Sequence, residues 1–225
     1  MGHYHDKSFP GESQAYRDKR DELIEAEIAL RRQTEAVAAM RRALPLGGEL
    51  KSDYEFDAAS GGTVRFSDLF DAGNDSLLIY SFMYGLEAEK PCPACTSVLD
   101  ALNGGATHLK SRINLAVVAR ASAETLKAWA EKRGWGNLRL LSSENNTYNV
   151  DYFAETEEGN QIPAVNIFSK SPEGIHHTYN TELLYSPCDE GQNPRHVDSF
   201  WPLWSVFDLT PGGRGTDWFP SLSYD

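Results

Sequence analysis

Apolar positions along this chain follow more than one period. Between residues 12 and 44 they recur in sevens, at Tyr16, Leu23, Leu30, Val37 and Leu44, with Ala26 and Met40 between them. No Gly or Pro stands between Gly11 and Pro45, and helix formers dominate, so the pattern predicts one long helix with a narrow apolar seam. Ser13 or Glu12 stands at its start. Acids (Asp18, Asp21, Glu22, Glu25, Glu27) gather early and Arg41 and Arg42 come late, as the helix macrodipole prefers. Lys19 and Gln33 interrupt the seam, which argues against a long coiled coil. A helix of this length extends ~45 Å at ~1.5 Å per residue. It either packs on its own domain or reaches a second subunit in a homodimer. Pro45, Gly47 and Gly48 end it, so an arm over 1–46 and a domain over 47–225 are expected.

After the glycines the period changes. "DYEFDAASGGTVRFSDLF" predicts two short strands about a Gly-Gly turn, then a helical turn. "SLLIYSFMYG" (76–85) and "INLAVVAR" (113–120) are continuous apolar runs of the kind that form buried central strands. The stretch from Cys92 to about Leu102 suits a helix, with Val98, Leu99 and Leu102 on one face. A second helix begins at the N-cap Ser122 and stops at Gly134. "LRLLSS" predicts a short strand, and "AVNIFSK" and "IHHTYNTE" form a hairpin across "SPEG". Strand, cysteine pair, helix, strand, helix and terminal hairpin resemble the thioredoxin topology with an N-terminal extension. The expected class is therefore α/β: a thioredoxin-like central mixed sheet flanked by helices, with a long helical arm and an aromatic-rich C-terminal extension. That extension holds Trp201, Trp204 and Trp218. It either wraps an exposed core edge or walls a substrate cleft.

Composition narrows the function. Of the 225 residues, 40% are apolar and 24% charged, enough for a sizeable core. No run approaches a membrane span and no secretory signal stands at the start, so a cytoplasmic protein is expected, where structural disulfides are rare. The net charge is −12. Residues 12–42 hold seven basic and seven acidic side chains, so the deficit falls in the body. An acidic body argues against nucleic acid and anionic membranes as partners.

The chemistry lies in Cys92-Pro93-Ala94-Cys95. A helix N-terminus lowers a thiol pKa, and Pro93 suits the first helical position. Cys92 is thus the candidate nucleophile and Cys95, one turn inward, the resolving thiol. A thiol or disulfide substrate and no organic cofactor follow. A metal is the alternative reading, with His177 joining Cys92 and Cys95 in a copper or zinc site. A four-ligand zinc site lacks donors, since Cys188 is alone and His3 and His5 lie at the chain end. Adjacent His176 and His177 point to opposite strand faces, which selects His177. Peroxidase chemistry of the peroxiredoxin type needs a Thr or Ser three residues before the reactive cysteine. Glu89 stands there before Cys92, and Cys92 itself before Cys95. Arg120, at a strand end, is either a thiolate-stabilising group or a surface charge.

The chain also resembles a bacterial thioredoxin-like family known as "domain of unknown function 899". The resemblance rests on "FPGES", "LRRQTEAVAAMRRALP", "YSFMYG", "KPCPACTSVLDALNG", "RGWGNLRLLSSENNTYNVDY", "TELLY", "PRHVDSFWPLWSVFDLTPGGRGTDW" and "SLSY", nearly the whole chain. It implies a thioredoxin-like fold and a redox-type pair at Cys92 and Cys95, and it brings no assigned activity. Thioredoxin-like proteins place a cis proline beside the dithiol, which implies that role for Pro163, with Ile162 offering backbone hydrogen bonds to substrate; the alternative is an ordinary trans proline starting the strand. Pro91 stands where thioredoxin itself has Trp, which argues against thioredoxin's broad substrate range.

Overall fold

The computed structural model describes residues 4–224. The chain divides into two compact units, Met1–Pro45 and Leu46–Asp225. The first is built on α1 (Gln14–Arg42), whose N-cap Ser13 accepts from the backbone N–H of Tyr16. The seven-residue seam is not the covered face of this helix. Leu23 is 46% exposed and Leu30 67%, whereas Ile24 and Ile28, a quarter-turn away, are partly buried. Arg17 is buried within the unit, ion-paired with Glu12 and donating to the Lys7 carbonyl.

The second unit is a seven-stranded sheet in the order β2-β1-β5-β4-β3-β6-β7. Its strands are β1 (Glu55–Ala58), β2 (Thr63–Arg65), β3 (Ser76–Ser81), β4 (Asn114–Ala119), β5 (Leu140–Ser142), β6 (Ala164–Ser171) and β7 (Gly174–Asn180). β3, β4 and β5 run parallel, and β6 and β7 return antiparallel. Parallel neighbours need crossovers. These are α2 (Pro93–Lys110) between β3 and β4, and α3 (Ala123–Arg133) between β4 and β5. The quartet β4-β3-β6-β7, with a helix after its first strand, is the thioredoxin-like core, extended on one side by β5 and the β1–β2 hairpin.

Two apolar clusters sandwich the sheet. Because side chains alternate along a strand, Leu78, Tyr80 and Phe82 face one cluster, while Leu77 and Ile79 face the other. The first cluster packs α2, α3, Trp201 and Trp204. The second holds the aromatic group Tyr54, Phe56, Phe66, Tyr148 and Phe168 among aliphatic side chains. The exposed edge of β7 is covered by the segment after the arm. Leu50 donates to the Ile175 carbonyl at 2.7 Å and His177 to that of Gly48 at 2.9 Å. Gly47 lies so close that a Cβ there would stand 2.1 Å from the His177 oxygen, so only glycine fits.

Two elements depart from the pattern. β3 stops at Ser81, where Tyr84 bonds back to the Phe82 carbonyl and the chain turns into the loop that carries the cysteines. α2 runs on past Leu102 through Gly104 and Gly105. Each glycine costs about 1 kcal/mol in a helix, but Ala106 is fully buried and Leu109 partly so, which continues the stripe of Val98, Leu99 and Leu102. Packing decides the helix length. α4 (Tyr148–Asp151) and α5 (Leu203–Phe207) are single turns.

Candidate functional site

Cys92 is the N-cap of α2 and Pro93 occupies the first turn. The Cys92 N–H donates to the Met83 carbonyl at 3.0 Å, which ties the helix start to the end of the central strand. Its Sγ accepts from the Cys95 N–H at 3.5 Å, and its carbonyl accepts from the Thr96 N–H and hydroxyl, each at 3.0 Å. Both cysteines are free, Cys92 half-buried and Cys95 buried.

The two thiols are electrostatically unlike. Cys92 is lowered to about 6, first by a hydrogen bond from the Cys95 thiol; burial opposes this, and the backbone N–H groups of Cys95 and Ala94 add to it. Cys95 is pushed well up, first by that same bond, then by burial and by the nearby Cys92 charge. Deprotonated Cys92 and protonated Cys95 sharing one hydrogen bond is the arrangement these shifts describe. The hydroxyl of fully buried Tyr80 lies beside the Cys95 sulfur and works against its upward shift. The sequence reading missed Tyr80, although its alternation with Leu78 and Phe82 turns it toward α2. It missed Ser97 too, whose hydroxyl accepts from the Trp201 indole N–H at 3.1 Å.

Pro163 lies at the same end of the sheet as the cysteines. Ala164 pairs with Ser81, so Pro163 stands opposite the chain leaving β3. Gln161 passes 3.8 Å from where a Cβ on Gly85 would stand. The expected cis proline is not found: no described peptide bond is cis. Trans is the ordinary preference of an X–Pro bond. Here the Ile162 N–H bonds the Ala154 carbonyl at 2.8 Å, which holds the chain entering β6.

The three-ligand metal reading does not survive. Cys92 and Cys95 pack with the first cluster. His177 pairs across from Phe168, which belongs to the second, and its ring lies 5.2 Å from that of Phe168, edge-on, and 5.6 Å from that of Tyr152. The sheet lies between donors that one ion would have to touch together. His177 instead bonds Asn166 Oδ1 at 2.9 Å, and burial lowers its pKa. Among the described residues no group of three or more His, Cys, Asp or Glu is placed to hold a metal. His3 lies outside the described residues. Cys188 is exposed. Arg120 is neither a thiolate partner nor a free surface charge. It pairs with Glu155 at 3.1 Å and donates to the carbonyls of Ser143, Glu144 and Asn146, which pins the loop after β5.

A thioredoxin-like sheet with a free Cys-x-x-Cys pair at the start of the helix after its central strand defines the class of protein. The family model described as "Bacterial protein of unknown function (DUF899)" matches residues 7–224, and the chain belongs to that family. No curated protein matches it. Among solved structures it is similar to a cysteine-to-serine mutant of Xanthomonas campestris Peroxiredoxin Q. The identity is 14% and the TM-score 0.48, over 73% of this chain and 97% of that one. It is similar also to Enterococcus faecalis AhpC, at 21% identity and 0.47, over 76% and 97%. Peroxidoxin BcpB from Mycobacterium tuberculosis aligns at 13% identity and 0.47, over 71% and 95%. No helix among the described residues is long and apolar enough to cross a membrane.

Proposed function

We propose that the protein is a cytoplasmic thiol-disulfide oxidoreductase that reduces a disulfide substrate through Cys92 and Cys95. The observation that carries this is a half-buried sulfur at the N-cap of an 18-residue helix, accepting from the Cys95 N–H with the buried Cys95 thiol one turn inward. The Cys92 thiolate attacks one substrate sulfur, forms a mixed disulfide and expels the other sulfur as a thiolate. The Cys95 sulfur then attacks Cys92 Sγ and releases the second substrate thiolate, and the Cys95 proton leaves with a product thiol. The substrate gains two electrons and the protein keeps a Cys92–Cys95 disulfide, to be reduced by another dithiol. Sequential activation is built in. Capture of Cys92 removes the charge and the hydrogen bond that hold Cys95 protonated, leaving chiefly burial to oppose its ionisation. Ile162 and Pro163 lead into β6 at the end of the sheet where the cysteines lie. The Ile162 N–H is committed to Ala154, so its carbonyl is the backbone group left to offer a substrate.

The test is the pH dependence of Cys92 alkylation by iodoacetamide, read by mass in a Cys188→Ser background. With a pKa of about 6, roughly 90% of Cys92 is thiolate at pH 7, against roughly 3% for an ordinary thiol near ~8.5. A less basic thiolate is also a weaker nucleophile, by roughly tenfold over such a shift. The net gain at pH 7 is therefore only about threefold, and the midpoint is the diagnostic. The rate should rise as pH climbs through about 6 and level off above it. A midpoint near ~8.5, or a Cys92 that does not react in the folded protein, overturns the reading.

We also propose that the arm pairs with the arm of a second copy. The first half of α1 (residues 14–28) carries five acids and three bases, and the second half (29–42) one acid and four bases. Antiparallel pairing sets each excess against its opposite and covers the exposed seam of Tyr16, Leu23 and Leu30. Light scattering should give twice the chain mass for the native protein. Leu23→Glu with Leu30→Glu should give the single mass with unchanged far-UV dichroism. A native protein of single mass ends this proposal.

A further inference from the structure

A cavity of about 1100 Å³ opens on the sheet face opposite the cysteines. Its floor is polar: Asn166, fully buried, with His177 and Asn180 beside it. His177 and the Asn180 amide both bond Asn166 Oδ1. The Asn166 amide nitrogen and the Asn180 amide oxygen are left buried without a hydrogen-bond partner. The Asn166 nitrogen faces the buried Tyr148 hydroxyl, so the acceptor the floor leaves unmet is the Asn180 oxygen.

The walls add two further features. Tyr152, Phe153 and Tyr185 line the cavity with aromatic surface, and Phe153 is 68% exposed. Four carboxylates, Glu49, Glu157, Glu158 and Glu182, line it with no ion pair to any described residue. The one lysine in the lining, Lys51, is neutralised by Asp151, and burial keeps His177 toward its neutral form. Nothing in the lining balances the excess of negative charge.

We propose that this cavity binds an organic cation, an amine carried on an apolar body. The carboxylates attract the ammonium and repel an anion. The aromatic walls take the body by stacking and the charge by cation–π contact. The Asn180 oxygen accepts from the ammonium. A purely apolar ligand would leave that oxygen unmet. The cavity opens across the sheet from Cys92, although Ile162 is in its lining.

Calorimetric titration of the full chain with tyramine and with 1,6-diaminohexane tests this, each paired with the neutral alcohol of the same skeleton. The amines should bind at least about fivefold more tightly than their alcohols, with affinity falling as salt rises. Glu158→Gln with Glu182→Gln, both on exposed residues, should weaken the amines at least about fivefold and leave the alcohols unchanged. Cys92→Ser should bind as the native chain does. Amines that bind no better than alcohols, or an affinity that ignores the two Glu→Gln changes, overturns the proposal and leaves the oxidoreductase reading untouched.

Discussion

Cys92→Ser should abolish exchange with a small aromatic disulfide probe, a fall of at least about 10³-fold in the thiolate released by the pair, because a serine hydroxyl at neutral pH is no substitute for a thiolate. Cys95→Ala should behave differently. First attack survives, but the mixed disulfide on Cys92 has no neighbouring thiol to resolve it. Intact mass should show one probe moiety held on the protein in the Cys188→Ser background. Cys95→Ala also removes the largest cause of the low Cys92 pKa, the hydrogen bond from the Cys95 thiol. The alkylation midpoint should therefore climb from about 6 toward the ordinary thiol range. Two independent readouts, a trapped adduct and a displaced midpoint, must appear together. A Cys95→Ala protein that turns over the probe, or keeps its midpoint near 6, would show that Cys95 neither resolves nor tunes Cys92.

How much of this was legible in the sequence depends on whether the controlling interaction is local. The N-caps at Ser13, Ser122 and Cys92, the left-handed stop at Gly134 and the buried strands β3 and β4 were readable, because caps and apolar runs are set within a few residues. The position of Cys92 at a strand-to-helix junction was readable for the same reason. Long-range partners were not. The Tyr80 hydroxyl meets Cys95 only because β3 lies under α2, and Arg120 finds Glu155 only through the loop after β5. The choice of His177 as a metal ligand used the strand alternation correctly, but not which side of the sheet each cluster occupies. The seam on α1 was read from sevens, yet Leu23 and Leu30 in it are exposed, whereas Ile24 and Ile28 are partly buried along with Val37 of the seam. The cavity over β6 and β7 has no sequence signature at all. Its walls come from residues as far apart as Glu49 and Tyr185.

The tail offers the second large effect. Trp201 is 2% exposed, its ring lies 5.0 Å from that of Trp204, and its indole N–H donates to Ser97, two residues beyond Cys95 on α2. The wrap therefore packs directly on the helix that carries the cysteines, as part of the first core cluster. Trp201→Ala removes a whole buried aromatic and leaves a cavity, so it should cost about 3–5 kcal/mol of stability. For a chain of this size that lowers the melting temperature by on the order of 10 °C. Trp201→Phe keeps the ring and gives up the hydrogen bond, so it should lose only about 1–2 kcal/mol. The alkylation midpoint of Cys92 separates two roles for the tail. Its causes lie in Cys95 and the first turn of α2, none in Trp201. The Phe variant should therefore keep a midpoint near 6 while melting earlier. A midpoint that moves with the indole would make the tail a wall of the reactive site. A Trp201→Ala protein as stable as the native chain would mean that residues 197–222 are an appendage with no part in the core.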